Sequence, residues 1–248
     1  MDLGISAKRA AVAASSGGLG LASAQALAAA GVRVAICGRN AERVAAAAAT
    51  LPPDTVALTV DVSTVEGALQ FVDQATDALG GLDILVPNAG GPPPGTFAST
   101  PLDAYLPALE LNLLSTVAMC HAAVPGLIDL GWGRIVAITS HSVRQPIPNL
   151  ILSNTARAGV TGFLKTLATE IAPHGITVNT VQPGLHATDR MTQLHGDHLS
   201  DAGAGQPTGT VGRPEDFGAV VAFLCSDQAR FITGTAVPVD GGASRGLQ

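Results

Sequence analysis

Short apolar runs rich in valine and isoleucine alternate along this chain with longer segments that carry the periodicity of helices. The runs are apolar at nearly every position, which is typical of strands whose two faces are both covered by helices. Seven runs predict strands, at residues 8–14, 32–37, 55–60, 82–86, 134–139, 177–181 and 236–239. Six segments predict helices, at residues 19–30, 41–51, 65–79, 102–130, 151–171 and 215–225. The alternation predicts an α/β fold with a doubly wound parallel sheet, because successive βα units join by right-handed crossovers.

Few features interrupt this pattern. No linker of mixed proline, serine and charge divides the chain, so we expect a single domain over residues 1–248. Two prolines fall in the long predicted helix: Pro107 in its early turns, and Pro125, which is expected to bend or end it. The weakly patterned stretch 185–211 is too long for an ordinary connection in a compact domain. We predict a substrate lid there.

Charge and composition argue against several classes of protein. The net charge is −6 and no run of lysine or arginine occurs, so no nucleic-acid partner is expected. No unbroken stretch of 18 apolar residues exists, and the apolar N-terminal stretch stops at the serines and glycines of residues 15–18. We therefore expect neither a membrane span nor a signal peptide. The three cysteines are far apart and lie in apolar stretches, which predicts buried free thiols in a cytoplasmic protein.

Small residues follow the first predicted strand, at the edge where open parallel sheets bind ligands. The sequence AASSGGLG occupies residues 13–20. Small residues there let the backbone approach a pyrophosphate, and the following helix offers its positive N-terminus. Taken alone, a glycine-rich turn is as compatible with a structural turn as with a phosphate site.

This segment resembles the Thr-Gly-x-x-x-Gly-x-Gly turn of the short-chain dehydrogenase/reductase family. Further landmarks of that family follow in order over almost the whole chain. They are Asp61-Val62, Asn88-Ala89-Gly90, Asn112, Ser140, Pro183-Gly184, and residues 212–216, 232–234 and 239–242. The pattern is most similar to the 3-oxoacyl carrier-protein reductase branch. One position departs from it, because Ala14 replaces the family's first glycine. That change would strain or reshape the turn, with Gly17 restoring some freedom.

The resemblance implies a Rossmann fold with a dinucleotide site at the carboxyl edge of the sheet. The residues that it assigns to the cofactor are Ser16, Gly18, Leu19, Gly20, Asp61, Val62, Asn88, Ala89, Gly90, Arg157, Pro183, Gly184 and Thr188. The choice of cofactor follows from the end of the second strand. An acidic residue there would hold the ribose hydroxyls of NAD, and Gly38 has no side chain to do so. Arg39 is able to pair with a 2′-phosphate, although a surface arginine is the alternative interpretation. NADP is therefore expected in preference to NAD.

The family's catalytic set is asparagine, serine, tyrosine and lysine. By the resemblance, the serine polarises the substrate carbonyl, the tyrosine passes a proton, the lysine tunes the tyrosine, and the asparagine carries a water relay. Asn112 and Ser140 match this set, whereas Ser153 stands where tyrosine is expected and Arg157 where lysine is expected. An aliphatic hydroxyl is a poorer acid than a phenol, and arginine stays protonated at neutral pH. Losing a positioned general acid typically costs ~10²–10⁴ in rate.

Histidines are the natural substitutes for the missing proton donor. His141 follows the candidate serine at a strand end, and an imidazole exchanges protons near neutral pH; a loop histidine beside the site is the alternative. The sole tyrosine, Tyr105, is expected to be a packing aromatic. His186, His195 and His198 fall in the predicted lid. The last two have a spacing that suits a metal, but no cysteine or further fixed ligand accompanies them, so no metal site is predicted.

Three functions stay open. The first is an NADP-dependent oxidoreductase acting on a small carbonyl or alcohol. In it Ser140 polarises the oxygen, Asn112 supports a water relay, Arg157 holds the cofactor, and Ser153 or His141 with water handles the proton. The second is a non-redox enzyme on the same scaffold, such as a dehydratase, isomerase or cyclase. The third is a non-catalytic binding subunit. The resemblance also implies a homo-oligomer, either a dimer or a tetramer.

Overall fold

The computed structural model describes residues 2–189, 191–192 and 196–246. In these residues seven parallel strands form one sheet in the order β3-β2-β1-β4-β5-β6-β7. The strands are β1 (Arg9–Val12), β2 (Arg33–Gly38), β3 (Val56–Thr59), β4 (Ile84–Val86), β5 (Gly133–Ile138), β6 (Ile176–Pro183) and β7 (Ala236–Val239). The predicted α/β fold with a doubly wound parallel sheet in a single domain is confirmed. The strand order reverses between β1 and β4, and this is where such sheets open a ligand crevice.

Helices cover both faces of the sheet. They are α1 (Gly18–Ala29), α2 (Ala41–Ala48), α3 (Val65–Leu79), α4 (Tyr105–Leu109), α5 (Ser115–Leu130), α6 (Ile151–Ile171), α7 (Leu199–Ala204) and α8 (Pro214–Cys225). Short 3₁₀ turns occur at Leu102–Ala104, His141–Val143, Ala172–His174 and Gly196–His198. All six predicted helical segments are present, the long one in several pieces.

The core forms two apolar layers, one on each face of the sheet. Side chains of α3, α5 and α6 make the first layer around Phe71, Met119 and Leu164. Side chains of α1, α2 and α8 make the second layer around Leu27 and Phe217. Because the central strands are buried from both sides, they carry apolar residues at consecutive positions instead of alternating with polar ones.

The long predicted helix does not end at Pro125. α5 continues to Leu130, where Gly131 adopts φ +66 and closes the helix. Pro125 lies on the exposed side of α5, and the residue one turn earlier, His121, is exposed too. The carbonyl that loses its amide donor therefore faces solvent, and the buried residues around the proline hold the helix together. The interruption comes earlier, at a π-helical turn over Glu110–Leu114 between α4 and α5.

The helical stretch Leu102–Leu130 is long and apolar enough to cross a membrane, judged by length and composition alone. Core helices of soluble proteins pass the same test. In this stretch Met119, Cys120 and Leu127 are buried in the core layer beside α3. Our expectation considered only unbroken apolar runs and so missed this stretch, in which buried core residues are mixed with exposed leucines such as Leu102 and Leu106.

The described part of the stretch 185–211 contains short helices rather than only loop. α7 packs closely against Val211 at Gly203. A Cβ added at this glycine would lie 2.6 Å from a methyl group of that valine. Near its start, His186 pairs with Gly212 in an isolated parallel bridge. His195 lies outside the described residues. The lid function of this stretch stays a prediction.

Candidate active site

The turn between β1 and α1 keeps the conformation that a glycine would provide. Ala14 has φ +46, in the left-handed region that costs a non-glycine residue about 1–2 kcal/mol. Its amide donates to Cys37 Sγ at 3.4 Å, and its carbonyl accepts from Asn88 Nδ2 at 3.2 Å. The alanine therefore holds a strained, left-handed backbone conformation in this turn. The expectation for Gly17 is wrong, since its φ of 171° suits any residue; the left-handed glycine is Gly18, at φ +57.

The N-terminus of α1 lacks a side-chain cap. Gly17 occupies the capping position, and within the described part of the chain no side chain caps the first turn. The amides of Gly18 and Leu19 stand in that turn, where an anion is the usual substitute partner. Among the described residues, a Cβ at Gly18 would meet Thr188 alone, at 3.7 Å, which leaves the backbone open to a ligand. The turn fits a pyrophosphate, and Thr188, which the resemblance assigned to the nicotinamide half, lies beside it.

Gly20 lets α1 pack directly on the turn. A Cβ at this position would lie 2.6 Å from the Ala14 carbonyl oxygen and 2.9 Å from Asn88 Nδ2. Both distances are shorter than real Cβ contacts. The glycine is therefore required for close approach of the helix and not for its own backbone angles.

Two arginines stand near the end of β2. A Cβ at Gly38 would lie 2.7 Å from Ser16 Oγ, so the serine covers the place from which an acidic side chain would project. Arg39 follows and is exposed. Arg43, in the first turn of α2, brings its Nη2 within 3.2 Å of the Cβ position of Gly17. Sequence reasoning missed Arg43.

The residues after β3 border the same edge of the sheet. Asp61 is exposed, and its carboxylate accepts a hydrogen bond from the Ser63 amide at 3.0 Å. Val62 is buried. Asp61 therefore exposes its side chain at this edge, whereas Val62 offers mainly its backbone there.

The loop Asn88-Ala89-Gly90 is held from three sides. Its first residue donates through Nδ2 to the Ala13 carbonyl at 3.3 Å, which ties the loop to the nucleotide turn. Its last carbonyl accepts from Asn112 Nδ2 at 2.8 Å, and its middle carbonyl accepts from Arg157 Nη2 at 3.4 Å. The loop thus connects the nucleotide turn with the residues predicted to act on the substrate.

Arg157 clamps the ends of two neighbouring strands. Its Nη1 donates to the carbonyls of Ile138 at 3.3 Å and Thr139 at 3.0 Å, at the end of β5. Its Nη2 reaches the Ala89 carbonyl beyond β4. Three hydrogen bonds of this half-buried guanidinium therefore go to main-chain carbonyls. Arginine suits this arrangement because its donors form a rigid fork.

Ser140 and His141 follow β5 directly. Ser140 Oγ accepts from the Ser142 amide at 3.1 Å, so the hydroxyl proton remains available for a second partner. His141 Nδ1 lies 3.1 Å from the Pro183 carbonyl oxygen. A carbonyl only accepts, so Nδ1 carries the proton in the neutral ring and Nε2 is left as an acceptor. Ser153 is buried in α6, one helical turn before Arg157.

Asn112 sits in the π-helical turn and is 3% exposed. Its Nδ2 donates a hydrogen bond to the Gly90 carbonyl in the loop after β4. Its Oδ1 is buried and has no hydrogen-bond partner in the part of the chain that the structure describes. A buried amide oxygen normally accepts a hydrogen bond. The residue is therefore suited to anchor a water molecule or a polar ligand group.

A family model described as enoyl-(acyl carrier protein) reductase matches residues 13–244. The chain belongs to the short-chain dehydrogenase/reductase family. It is 35% identical over 249 residues to dehydrogenase/reductase SDR family member 4 of Sus scrofa, which covers 97% of this chain and 88% of that protein. It is 33% identical over 247 residues to a 3-oxoacyl-[acyl-carrier-protein] reductase of Aquifex aeolicus, covering 98% and 99% respectively. The likeness to the 3-oxoacyl branch is thus shared with other branches of this oxidoreductase family.

Solved structures agree with this assignment. L-Sorbose reductase from Gluconobacter frateurii, complexed with NADPH and L-sorbose, superimposes with a TM-score of 0.93 at 32% identity over 100% of both chains. A short-chain oxidoreductase from Pseudomonas aeruginosa PAO1, described as containing an atypical catalytic center, gives a TM-score of 0.91 at 30% identity. That comparison covers 98% of this chain and 100% of the other.

In this short-chain dehydrogenase/reductase, the predicted site residues gather at the carboxyl edge of the sheet, on the loops after β1 to β6 and on α6.

Asp240, which we did not predict, joins them. Gly184 packs directly against Asp240, since a Cβ added at Gly184 would lie 2.6 Å from the Asp240 Cα. Burial by itself raises the pKa of Asp240. Hydrogen bonds from Ser244 and Gly242, together with the charge of His141, outweigh burial and lower that pKa. The carboxylate thus stays ionised beside His141.

His186 lies in the core and not in an open lid. It is 4% exposed and meets Phe217 edge to face, with ring centroids 5.3 Å apart. Its Nδ1 lies 3.2 Å from the Gly184 carbonyl oxygen. Burial lowers the pKa of this imidazole, so the neutral ring is the folded form.

We expect this histidine to make the fold sensitive to acid. The unfolded imidazole has a pKa near 6.5 and the folded one a lower pKa, so the unfolded state takes up the proton first. The stabilising contribution is complete above pH 6.5 and is lost as the pH falls below it, by at most about 1.4 kcal/mol per pH unit. Urea unfolding of the wild type and of His186→Gln at about pH 8 and about pH 5.5 measures this effect. The gap between the two proteins should narrow in acid, and a constant gap would contradict the prediction.

Proposed function

We propose that this protein is an NADP-dependent oxidoreductase that acts on a small carbonyl compound or its alcohol through an atypical active site. One observation carries the proposal: the uncapped nucleotide turn after β1 and Ser140 after β5 flank a single loop after β4, which is hydrogen-bonded to the turn and to two candidate catalytic residues. The NADPH held by L-sorbose reductase, a full-length structural neighbour, supports a nicotinamide cofactor.

The described residues fit a dinucleotide along this edge. The amides of Gly18 and Leu19, with Gly20 bringing α1 close, would hold the pyrophosphate. The adenosine half would meet Ser16, Arg39, Asp61 and Val62. The nicotinamide half would meet Asn88, Ala89, Gly90, Pro183, Gly184 and Thr188, with Arg157 acting on it through the loop. When bound, a nicotinamide supplies or accepts hydride.

The chain's own residues would handle the oxygen and the proton. Ser140 donates its hydroxyl proton to the substrate oxygen, since the described hydrogen bond of this hydroxyl, from the Ser142 amide, uses a lone pair and not the proton. His141 exchanges a proton through Nε2, since Nδ1 is fixed on the Pro183 carbonyl. Ser153 is too weak an acid to replace a phenol and relays the proton instead. Asn112 Oδ1 anchors the water that links them.

A non-redox enzyme is the second candidate. The observation that favours it is that the Arg157 guanidinium donates hydrogen bonds to three main-chain carbonyls. The aliphatic hydroxyl of Ser153, in place of a phenol, points the same way. A dehydratase, isomerase or cyclase needs a proton shuttle such as His141 and no hydride acceptor. The Pseudomonas aeruginosa neighbour indicates that an atypical catalytic center occurs on this fold.

Three further properties belong to the same proposal. We assign the protein to the cytoplasm, in keeping with its buried free thiols. We propose a homo-oligomer, either a dimer or a tetramer, that acts on a small molecule without a nucleic-acid or membrane partner. The stretch 185–211 serves as its substrate lid.

Calorimetric titration with NADPH, followed by NADPH oxidation over a panel of ketoses, small ketones and 3-oxoacyl thioesters, tests the proposal. We expect NADPH binding and turnover of at least one carbonyl class. Ser140→Ala should lower turnover by ~10²-fold or more while NADPH affinity is retained. Ser6→Ala, an exposed serine ahead of β1 at the opposite edge of the sheet, is the control and should leave both unchanged.

The other outcomes separate the alternatives. Product formed without nucleotide consumption would favour the non-redox enzyme. Bound NADPH with no turnover on any substrate class would point to a non-catalytic subunit.

A further inference from the structure

A cleft lies between α6 and the paired strands β6 and β7, away from the candidate active site. Its volume is about 90 Å³. A water molecule needs at least roughly 10–15 Å³ of cavity, so the cleft has room for several water molecules or for one small organic ion. Its lining includes Leu164 and Lys165 of α6, Val178 and Thr180 of β6, and Ala236 of β7.

One hydroxyl that lines the cleft lacks a hydrogen-bond partner. Thr180 is 3% exposed, and its Oγ1 makes no hydrogen bond within the part of the chain that the structure describes. Thr180 follows Val178 at the spacing of a strand, so both side chains point to the same side of the sheet. Val178 belongs to the core layer that α6 covers, which places the hydroxyl on the α6 side. Because buried hydroxyls normally have partners, this one indicates a polar group in the cleft.

A second donor without a partner follows on the same face of β6. Gln182 is 1% exposed and lies two residues beyond Thr180. Its Oε1 accepts from Arg144 Nε at 2.6 Å, and an arginine only donates, so the amide oxygen must be the atom that faces it. Nε2 is then buried without a hydrogen bond among the described residues. This face of β6 therefore offers donors and lacks acceptors.

Two cations are fixed beside the cleft on the segment 234–236. Lys165 Nζ donates to the Gly234 carbonyl at 2.8 Å, which uses one of its three protons. Arg144 donates to the Ala236 carbonyl at the other end of the segment. The ion pairs of the described residues involve neither cation. The cleft thus combines unneutralised positive charge with a buried donor.

We propose that this cleft binds a small monovalent carboxylate, of the size of acetate or propionate. The carboxylate accepts hydrogen bonds from Lys165 Nζ and Thr180 Oγ1, and its alkyl end contacts Leu164 and Val178. The site is distinct from the nucleotide and substrate sites, because Lys165 stands eight residues after Arg157 in α6, roughly 12 Å further along the helix. The inference does not depend on the proposed function.

The lining favours a carboxylate over other ligands. A neutral molecule would leave the charge of Lys165 unpaired. A phosphate carries more charged oxygens than the cleft has donors, and those that face Leu164 and Val178 would be buried without partners, at a high cost in free energy. A carboxylate presents its charge at one end and an apolar group at the other, which matches the arrangement of the lining.

Melting temperatures in sodium acetate and in sodium gluconate at equal ionic strength test the proposal. A ligand that binds only the native state raises the melting temperature with its concentration. Gluconate has the same charge but is too large for the cleft, so acetate should give the larger, saturable increase in the wild type. Lys165→Met and Thr180→Val should each weaken acetate binding by about tenfold or more. Arg213→Met, which removes an exposed arginine at the start of α8, is the matched charge control and should respond as the wild type does.

The threonine variant separates binding from folding. Valine keeps the shape of Thr180 and removes only a hydroxyl without a described partner, so in gluconate the variant should melt no lower than the wild type. A lower melting temperature there would show that the hydroxyl has a structural partner and would overturn the proposal. Equal responses to acetate and gluconate, or an acetate response that survives in Lys165→Met or Thr180→Val, would overturn it too. So would a loss in Arg213→Met as large as that in Lys165→Met.

Discussion

Replacing Arg157 by methionine is expected to lower the free energy of unfolding by about 2–4 kcal/mol. The substitution keeps the length of the side chain but leaves the carbonyls of Ile138, Thr139 and Ala89 without this donor. Hydrogen bonds from a charged donor are worth about 1.5–3 kcal/mol, and buried carbonyls without partners add to the cost. Urea unfolding measures the change. NADPH affinity should fall as well, because the Asn88-Ala89-Gly90 loop loses one of its three attachments.

Two variants calibrate this prediction. Arg157→Lys should recover part of the loss, since an ammonium group can reach one carbonyl but not span both strands. Arg213→Met removes an exposed arginine whose described partners are the exposed carboxylates of Glu215 and Asp216, and should cost about 1 kcal/mol or less. If Arg157→Met unfolds at the same urea concentration as Arg213→Met, the strand clamp does not contribute as described.

Gly20→Ala is expected to weaken NADPH binding by more than about tenfold and to cost about 1–3 kcal/mol of stability. The added methyl group would lie 2.6 Å from the Ala14 carbonyl oxygen. That atom belongs to the backbone of the nucleotide turn and cannot rotate away, so α1 must move outward and carry its free amides with it. Calorimetric titration and urea unfolding on the same preparation give both quantities.

The matched control is Gly126→Ala, in the interior of α5. Among the described residues, no atom beyond the chain neighbours and the nearby backbone of α5 itself lies within 4 Å of the Cβ position at Gly126, so the methyl group has room. Alanine should therefore stabilise the helix by about 0.5–1 kcal/mol. A Gly20→Ala protein that binds NADPH as tightly as Gly126→Ala would show that α1 does not need its close approach to the turn.

The sheet was predictable because its strands are buried on both faces and therefore leave continuous apolar runs in the sequence. The family landmarks predicted site residues that the structure brings together at one edge, since carboxyl ends of parallel strands share one edge. The helix continues past Pro125 to Leu130, where its predicted range ends, so the alternative that the proline ends it is wrong for a physical reason. A proline costs a helix little when the carbonyl that loses its hydrogen-bond donor faces water. Whether that carbonyl is exposed depends on how the helix packs against the rest of the fold.

Side-chain partners were harder to predict than elements. The π-helical turn around Asn112 and the carbonyl contacts of Arg157 depend on distances between segments far apart in the chain. His186 looked like a loop residue, but packing against Phe217 makes it part of the core. Arg43 had a usable signal, because Asn40 three residues earlier marks a helix cap and hence the direction of the arginine.

The buried cysteines have a practical consequence. Burial raises the pKa of the Cys37, Cys120 and Cys225 thiols to about 12 each. A thiol reagent reacts with the thiolate, so labelling of the native protein at neutral pH requires that a sulfur first become exposed. The three positions lie under the nucleotide turn, inside α5 and at the end of α8. Labelling rates, resolved by mass spectrometry, thereby turn these thiols into native reporters of how often each region opens, and slower modification of Cys37 with a nucleotide present would register occupancy of the turn without any engineered probe.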